Sequence, residues 1–367
     1  MIKKKVTLNF NNLKHKIKLF YIQTKKIIPL ANPRGVKLLC ELCGKTAYYQ
    51  CLGCRITYYC SEKHQKIDYE GIHKKICSFL VPLKEVSEFL GSEDQRIKLQ
   101  KEVRAKKLEI IHLATTEAKK NMFEENYELA IPAALQALRY SQDVYKKKSI
   151  ESIPSYLLLG KATTGLKNFK QAEDYLLLAK YALFKSKKQD YKIRYQLHRN
   201  LGILYTFKKQ YDEALFELSN DIYYSSLLHG PEHIYVSGGY FQLGNIFYYQ
   251  KKYNNALSAY SHVINIWNSY FKKKNNEVFD EALQAEAQNM FTRILEIRKE
   301  LLSESEKNIE LAQVYMAFGQ LHYMTKNYME AKSNFEEALK RYQLEYNSSN
   351  INIIQIKSFL REIELNI

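Results

Sequence analysis

All six cysteines of this 367-residue chain fall between positions 40 and 77: Cys40, Cys43, Cys51, Cys54, Cys60 and Cys77. His64 and His73 lie in the same stretch. Thiolates and imidazoles are the donors zinc prefers, and a structural zinc takes four of them. The cluster therefore suits two Zn2+. Cys40/Cys43 and Cys51/Cys54 each have the C-x2-C spacing of a tight knuckle that aims two sulfurs at one ion. Cys60 and His64 are four apart, as are His73 and Cys77. Residues four apart share a helix face, so each of these pairs can also close on one ion. Spacing alone leaves open which pairs combine. Ser61 is a good N-cap for a short helix carrying His64. No ligand position is left for water, so the expected ions are structural rather than catalytic. A module this small has too little apolar core to fold without ligation, which supplies on the order of 10–16 kcal/mol per site.

The rest of the chain must carry and position this cluster. Hydrophobic residues make up 46% of it, whereas glycine (13) and proline (6) are scarce. That balance provides a core and argues against sandwiches, barrels and long flexible linkers. The net charge of +17 invites a nucleic-acid reading. Its distribution weakens that reading. Residues 1–37 hold ten Lys or Arg and no acid, and residues 38–80 hold six basic and four acidic residues. The basicity belongs to a tail, and nucleic acid is not an expected partner. No run of about 18 apolar residues is present, so no membrane span is expected. Lysines interrupt the apolar residues of the N-terminal stretch, which therefore lacks a secretory core. Cysteines confined to metal spacing fit a reducing compartment.

Four regions follow. Residues 1–37 read as a basic tail, with brief strand-like alternation at Val6, Leu8 and Phe10, closed off by Pro29 and Pro33. Residues 38–80 are the finger. Residues 81–104 read as a charged helical connector with a break at Gly91-Ser92. From 105 to 367 the chain repeats. Ala130, Ala172, Ala214 and Ala256 step by 42, each led by an aromatic: Tyr127, Phe169, Tyr211 and Tyr253. Twelve residues before each alanine sits Ala118, Gly160, Gly202 or Gly244. Gly319 and Ala331 form a fifth copy, and the short interval before it leaves one degenerate unit near 277–302. Helical periodicity runs through each unit, as in Tyr240, Leu243, Gly244 and Phe247. Such a pattern predicts helical hairpins, each burying its face against its neighbours. Small residues let helix axes approach, and large ones fill the groove beside them. Asp221 stands where a small residue is expected, marking a polar contact or a distortion. Asn350 to Glu364 reads as a C-terminal capping helix. The expected fold is mostly α: a small two-zinc finger followed by an α-solenoid with a 42-residue period.

Nothing points to catalysis. There is no Ser/His/Asp set, phosphate loop or open metal site, and His198, His229, His233, His262 and His322 are scattered. The chain is expected not to be an enzyme.

The phrase running from Tyr59-Cys60-Ser61 through His64-Gln65 and Asp68-Tyr69 to His73-Lys74 and Cys77 resembles the MYND zinc finger. The resemblance implies two interleaved sites: Cys40, Cys43, Cys60 and His64 on zinc 1, and Cys51, Cys54, His73 and Cys77 on zinc 2. His64 stands where most members have cysteine. Some such fingers bind proline-rich peptides through a Gln and a Trp. Gln65 matches and Tyr69 replaces the Trp, making these two the candidate partner-binding residues. The lysine methyltransferases that contain this finger need an Asn-His-x-Cys phrase after it, and no cysteine follows Cys77.

The repeats resemble the tetratricopeptide repeat, as in Tyr156-Leu159-Gly160 with Ala172-Leu176-Ala179, and Tyr315-Phe318-Gly319 with Ala331-Phe335-Ala338. The usual length is about 34 residues, so each helix here should be roughly one turn longer. Finger and repeats together are similar to a family of axonemal proteins of motile cilia and sperm flagella. Tyr156-Leu157-Leu158-Leu159, LHRNLGILY at 197–205, NDIYYSS at 220–226 and SGGYFQLGNIFY at 237–248 carry that likeness. It implies a scaffold in the ciliary axoneme, cytoplasmic before assembly. Its implied partners are inner-arm dynein and a second repeat protein (tetratricopeptide repeat protein 29); the charge of the basic tail suits an acidic surface such as the doublet microtubule. A cytoplasmic co-chaperone or assembly factor for axonemal dynein is the runner-up, followed by a nuclear adaptor that uses the finger for proline-rich peptides.

Overall fold

A computed structural model describes residues 24–27, 37–84, 92–145, 149–186, 189–273, 281–302 and 308–366. Most of the basic tail, Gly91 and the start of the 277–302 interval lie outside the described residues. The chain divides into two compact units, 1–168 and 169–367.

The first unit opens with a three-stranded antiparallel sheet: β1 (Thr24–Lys26), β2 (Tyr49–Cys51) and β3 (Tyr58–Tyr59), in that order. β1 lies inside the stretch expected to be tail. It pairs Lys25 with Gln50, and Ile27 N–H donates to the Tyr48 carbonyl at 2.8 Å. The strand supplies the backbone partners that the free edge of β2 would otherwise lack. Three segments follow: α1 (Glu62–Asp68), a π-helical turn (Tyr69–His73) and α2 (Lys74–Lys84). Then come α3 (Glu93–Phe123), α4 (Tyr127–Tyr145) and, after a short 3-10 turn, α5 (Ile153–Gly165).

Ser92 caps α3, its hydroxyl accepting from Gln95 N–H. No glycine or proline interrupts residues 93–123, so one helix crosses from the connector into the array. Only its second half is buried, through Ile110, Ala114, Ala118 and Met122, four residues apart along α4's face.

The second unit is built of α6 (Phe169–Ser186), α7 (Tyr191–Phe207), α8 (Tyr211–His229), α9 (Ile234–Tyr249) and α10 (Tyr253–Lys273). A single helix, α11 (Glu281–Leu301), is followed by α12 (Ile309–Met324), α13 (Tyr328–Glu345) and α14 (Ile351–Asn366). Within each unit consecutive helices pack as stacked hairpins. The small repeat positions act as the periodicity predicts. A Cβ on Gly244 would lie 2.5 Å from the Tyr260 ring, and Gly319 meets Phe335 in the same way.

Five short turns that follow helices share one backbone geometry. Glu125, Lys167, Lys209, Lys251 and Lys326 all have φ near +60°, between 58 and 60°. In each, the next residue's N–H reaches back five residues; Gln210 N to Tyr205 O is 2.9 Å and Lys252 N to Phe247 O is 2.8 Å. This left-handed cap satisfies carbonyls at the helix end that would otherwise be orphaned.

α11 occupies the interval read as degenerate. Phe291 packs edge-on against Trp267 of α10 and Phe318 of α12, at 5.8 and 5.5 Å between ring centres. Arg298 is fully buried and binds the Ser261 hydroxyl at 2.7 Å and the Glu310 carbonyl at 2.5 Å. Burial draws its pKa down to about 10. At the C-terminal end, Ile353, Ile356 and Ile363 of α14 are buried, and Phe359 stacks on Phe335 at 5.1 Å.

Asp221 makes the polar contact. It is fully buried on α8 and binds Arg199 of α7 in a fork, at 2.8 and 3.1 Å. Arg199 also donates to the Tyr235 carbonyl on α9. One turn earlier on α8, Glu217 meets His198 of α7 and Lys180 of α6.

Two outcomes follow from these pairs. Replacing Asp221 by alanine strands the Arg199 charge, and urea denaturation should show a loss of roughly 3–5 kcal/mol. Burial alone would raise the Glu217 carboxyl, but His198 and Lys180 outweigh it and hold it below its usual 4.5. A depressed carboxylate stabilises above its unfolded pKa, and that contribution disappears as pH falls through the folded value. Melting temperature should therefore drop below pH 4.5 more steeply in the natural protein than in Glu217→Gln.

Candidate metal centre

The ligand-bearing segments are shaped by short backbone bonds. Gly44 N–H donates to Cys40 O and Arg55 N–H to Cys51 O, both at 3.0 Å, closing each C-x2-C pair into a knuckle. Gly44 and Arg55 both take positive φ, 65 and 56°, where the chain must turn sharply. Ser61 caps α1 as expected, its hydroxyl accepting from His64 N–H at 3.3 Å. The π-turn and α2 then bring in His73 and Cys77.

These elements gather the eight donors into two groups. Cys40, Cys43, Cys60 and His64 form one, and Cys51, Cys54, His73 and Cys77 the other, each with its ligand atoms within 4.8 Å of one another. In the first, Cys43 Sγ lies 3.6 Å from Cys60 Sγ, and His64 Nδ1 lies 3.5 Å from Cys40 and 3.3 Å from Cys60. In the second, Cys51 and Cys77 are 3.9 Å apart, and His73 Nε2 lies 3.3 Å from Cys51 and 3.8 Å from Cys54. A tetrahedral zinc with bonds of about 2.3 Å to sulfur and 2.0 Å to nitrogen has ligand–ligand edges of roughly 3.5–3.8 Å. The distances, 3.3–3.9 Å, bracket that figure, and all six cysteines are free of disulfides. Each is a Cys3His set suited to a structural zinc, which would crosslink the finger and leave no coordination position for a substrate.

The two sites differ in surroundings. Cys43 is exposed and Cys60 half-buried in the first, whereas Cys51, Cys54 and His73 are all buried in the second. Thr57 Oγ1 lies 3.4 Å from Cys54 Sγ. The Cys54 thiol is held well below its usual range, first by its hydrogen bond with Cys51 and then, against burial, by His73 and Thr57.

The finger rests on the first hairpin. Gly71 sits against the Leu129 carbonyl and Pro132 of α4, so closely that a Cβ there would lie 2.6 Å from both. Pro132 lies inside α4, where it gives up a helix N–H and offers a flat, buried surface instead. Ile72, Ile76 and Leu80 form a buried stripe at helical spacing. Around this apolar seam, Lys63 pairs with Glu128 at 3.5 Å, Lys75 with Glu117, and Arg139 of α4 with Glu41. Gln136 Nε2 donates to Glu41 at 3.2 Å. Burial pushes the Glu41 carboxyl up, Arg139 pulls it down, and nearby Asp68 adds to the rise. Of the two residues expected to meet a partner, Gln65 is buried and Tyr69 half-buried. Gln65 belongs to the buried stripe with Asp68 and Ile72, on segments that pack against α4.

A profile of the MYND finger family matches residues 40–77. Residues 40–77 are a MYND finger. Among solved structures, the chain is similar to the crystal structure of BtubC (BKLC) from P. vanneervenii, at 17% identity over 70% of this chain and 83% of that one. The TM-score of that match is 0.29, too low to carry an argument about fold or function.

Sequence reasoning overlooked the supports around the MYND finger. Arg139 and Gln136 lie far along the chain from Glu41, and no spacing rule connects them. Asp68 and Tyr59 were visible only as parts of a family phrase. Truncating Arg139 to alanine leaves Glu41 buried without its cation. The zinc-loaded chain should lose about 1–3 kcal/mol in chemical denaturation, with partial recovery in Arg139→Lys.

Proposed function

We propose that this chain is a non-catalytic interaction scaffold of the motile ciliary axoneme, associated with inner-arm dynein. A MYND finger and stacked helical hairpins are both modules that engage proteins. The observation that carries the reading is the closure of the finger: eight donors fill two four-ligand sites, and the helical side of the module packs on its own hairpin. That arrangement makes the finger an end piece and leaves the hairpins as the surface for partners.

In the second unit, a groove of about 450 Å3 runs between α9 and α10, lined by Tyr240, Leu243, Phe247, Ala259 and His262. Its lining of aromatic, aliphatic and polar side chains, Asn255 and Ser258 among them, suits a helix or extended segment of another protein. No described helix is long and apolar enough to cross a membrane.

The finer assignment rests on likeness in sequence. The phrases at 197–205, 220–226 and 237–248 resemble zinc finger MYND domain-containing protein 12, whose setting is the inner dynein arm. By that likeness a second repeat protein, tetratricopeptide repeat protein 29, is a proposed partner and the axoneme the proposed location; the basic tail makes the doublet microtubule surface a further proposed partner. The co-chaperone alternative is disfavoured. A carboxylate clamp needs a Lys-and-Asn set on consecutive first helices, and Asn245 has no matching set in the neighbouring repeats.

Extraction of cilia from cells expressing the tagged chain tests the assignment. The chain should stay with the axoneme through detergent and leave at the salt that strips dynein arms. Release with the detergent-soluble matrix would end the axonemal reading.

A further inference from the structure

Between α1 and α2 the MYND finger contains a π-helical turn, Tyr69–His73, closed by Lys74 N–H donating to Tyr69 O five residues back. Such turns are rare and mark places where side chains must be re-aimed. In an α-helix, residues five apart point about 140° away from each other. The wider turn brings Asp68 and His73 onto one side instead. Asp68 Oδ2 lies 3.7 Å from His73 Nδ1, and both side chains are buried, at 0 and 2% exposure. The same Asp68 oxygen accepts from the Tyr59 hydroxyl at 2.6 Å. Tyr59 is 1% exposed and stands edge-on to the His73 ring at 6.4 Å. Among the described residues neither His73 Nδ1 nor Asp68 Oδ1 has a hydrogen-bond partner. On the far side of the imidazole, Nε2 faces the Cys51 and Cys54 sulfurs.

We infer that Tyr59 and Asp68 are positioning residues for the second metal site: together they hold His73 with its proton on Nδ1 and its Nε2 lone pair on zinc 2, making this the more tightly held of the two ions. The geometry favours that tautomer. A carboxylate beside Nδ1 welcomes an N–H and repels a lone pair, and a metal-bound imidazole commonly relies on such an outer carboxylate. Tyr59 fixes the carboxylate in turn, by donating to the oxygen nearest the ring. His64, the imidazole of the first site, faces the Cys40 and Cys60 sulfurs through Nδ1, and no carboxylate pairs with it among the described residues. Its site is also the one with an exposed cysteine, open to a competing chelator.

Zinc transfer from the full-length, zinc-loaded chain to a chromophoric chelator tests this. The natural protein should release its two ions in two phases. Cys43→Ser should abolish the fast phase and assign it to the first site. Asp68→Asn should accelerate the slow phase by about 10–100-fold and leave the fast phase alone. Tyr59→Phe should shift the slow phase in the same direction by less. Nitrogen-15 NMR of the natural protein should show His73 protonated at Nδ1, a reading that general loosening of the fold would not produce. A single release phase, equal acceleration of both phases in Asp68→Asn, an unmoved slow phase, or a His73 proton on Nε2 would each overturn the inference.

Discussion

Four donor atoms must meet around one point, twice, within a stretch that has almost no core of its own. The backbone of the finger answers to that requirement. The knuckles at Gly44 and Arg55 turn the chain so that paired sulfurs converge. The Ser61 cap starts α1 where His64 is needed, and the π-turn rotates His73 into the second site. Interleaving ties the knuckles to the helical segments, so neither half of the finger can be placed without the other.

The finger then needs a floor. Its apolar stripe of Ile72, Ile76 and Leu80 is short, and α4 supplies the opposing surface through Leu129 and Pro132. Buried charge marks the same seam. Glu41 and Asp68 are carboxylates in a poorly hydrated region, which is costly unless cations or donors face them. Arg139, Gln136 and Tyr59 take that role. The pairing of a metal-crosslinked module with a helical surface explains why Gln65, expected to face a partner, lies in the buried stripe, while Tyr69 stays half-buried.

The hairpins obey a different constraint, close approach of helix axes. Gly244 and Gly319 admit aromatic rings that any side chain would exclude, and the left-handed turn at Lys251 and its counterparts reverses the chain in a fixed number of residues. Where the repeat breaks, α11 lies in the interval, and Arg298 ties it to α10 and α12 through the Ser261 hydroxyl, the Glu310 carbonyl and the Glu310 carboxylate. Asp221 shows the same economy. A repeat position meant for a small residue instead carries a carboxylate that joins α8 to α7 through Arg199.

The ligand types, the knuckle spacing, the 42-residue step and the small-then-alanine pattern were legible in the residues, because each depends on local geometry with a fixed period. Spacing could not choose how the ligand pairs combine, since every pair is equally able to close on an ion; that came from family likeness, and convergence in space agrees with it. Nor could sequence show that Thr24–Lys26 closes the finger's sheet, that Arg139 reaches Glu41, or that Asp68 stands behind His73. Those contacts join residues with no periodic relation, or with one that only a π-turn makes close. Local repetition determined the elements and the donors; long-range burial decided what supports them, because a buried charge or strand edge takes whichever partner the folded chain brings near.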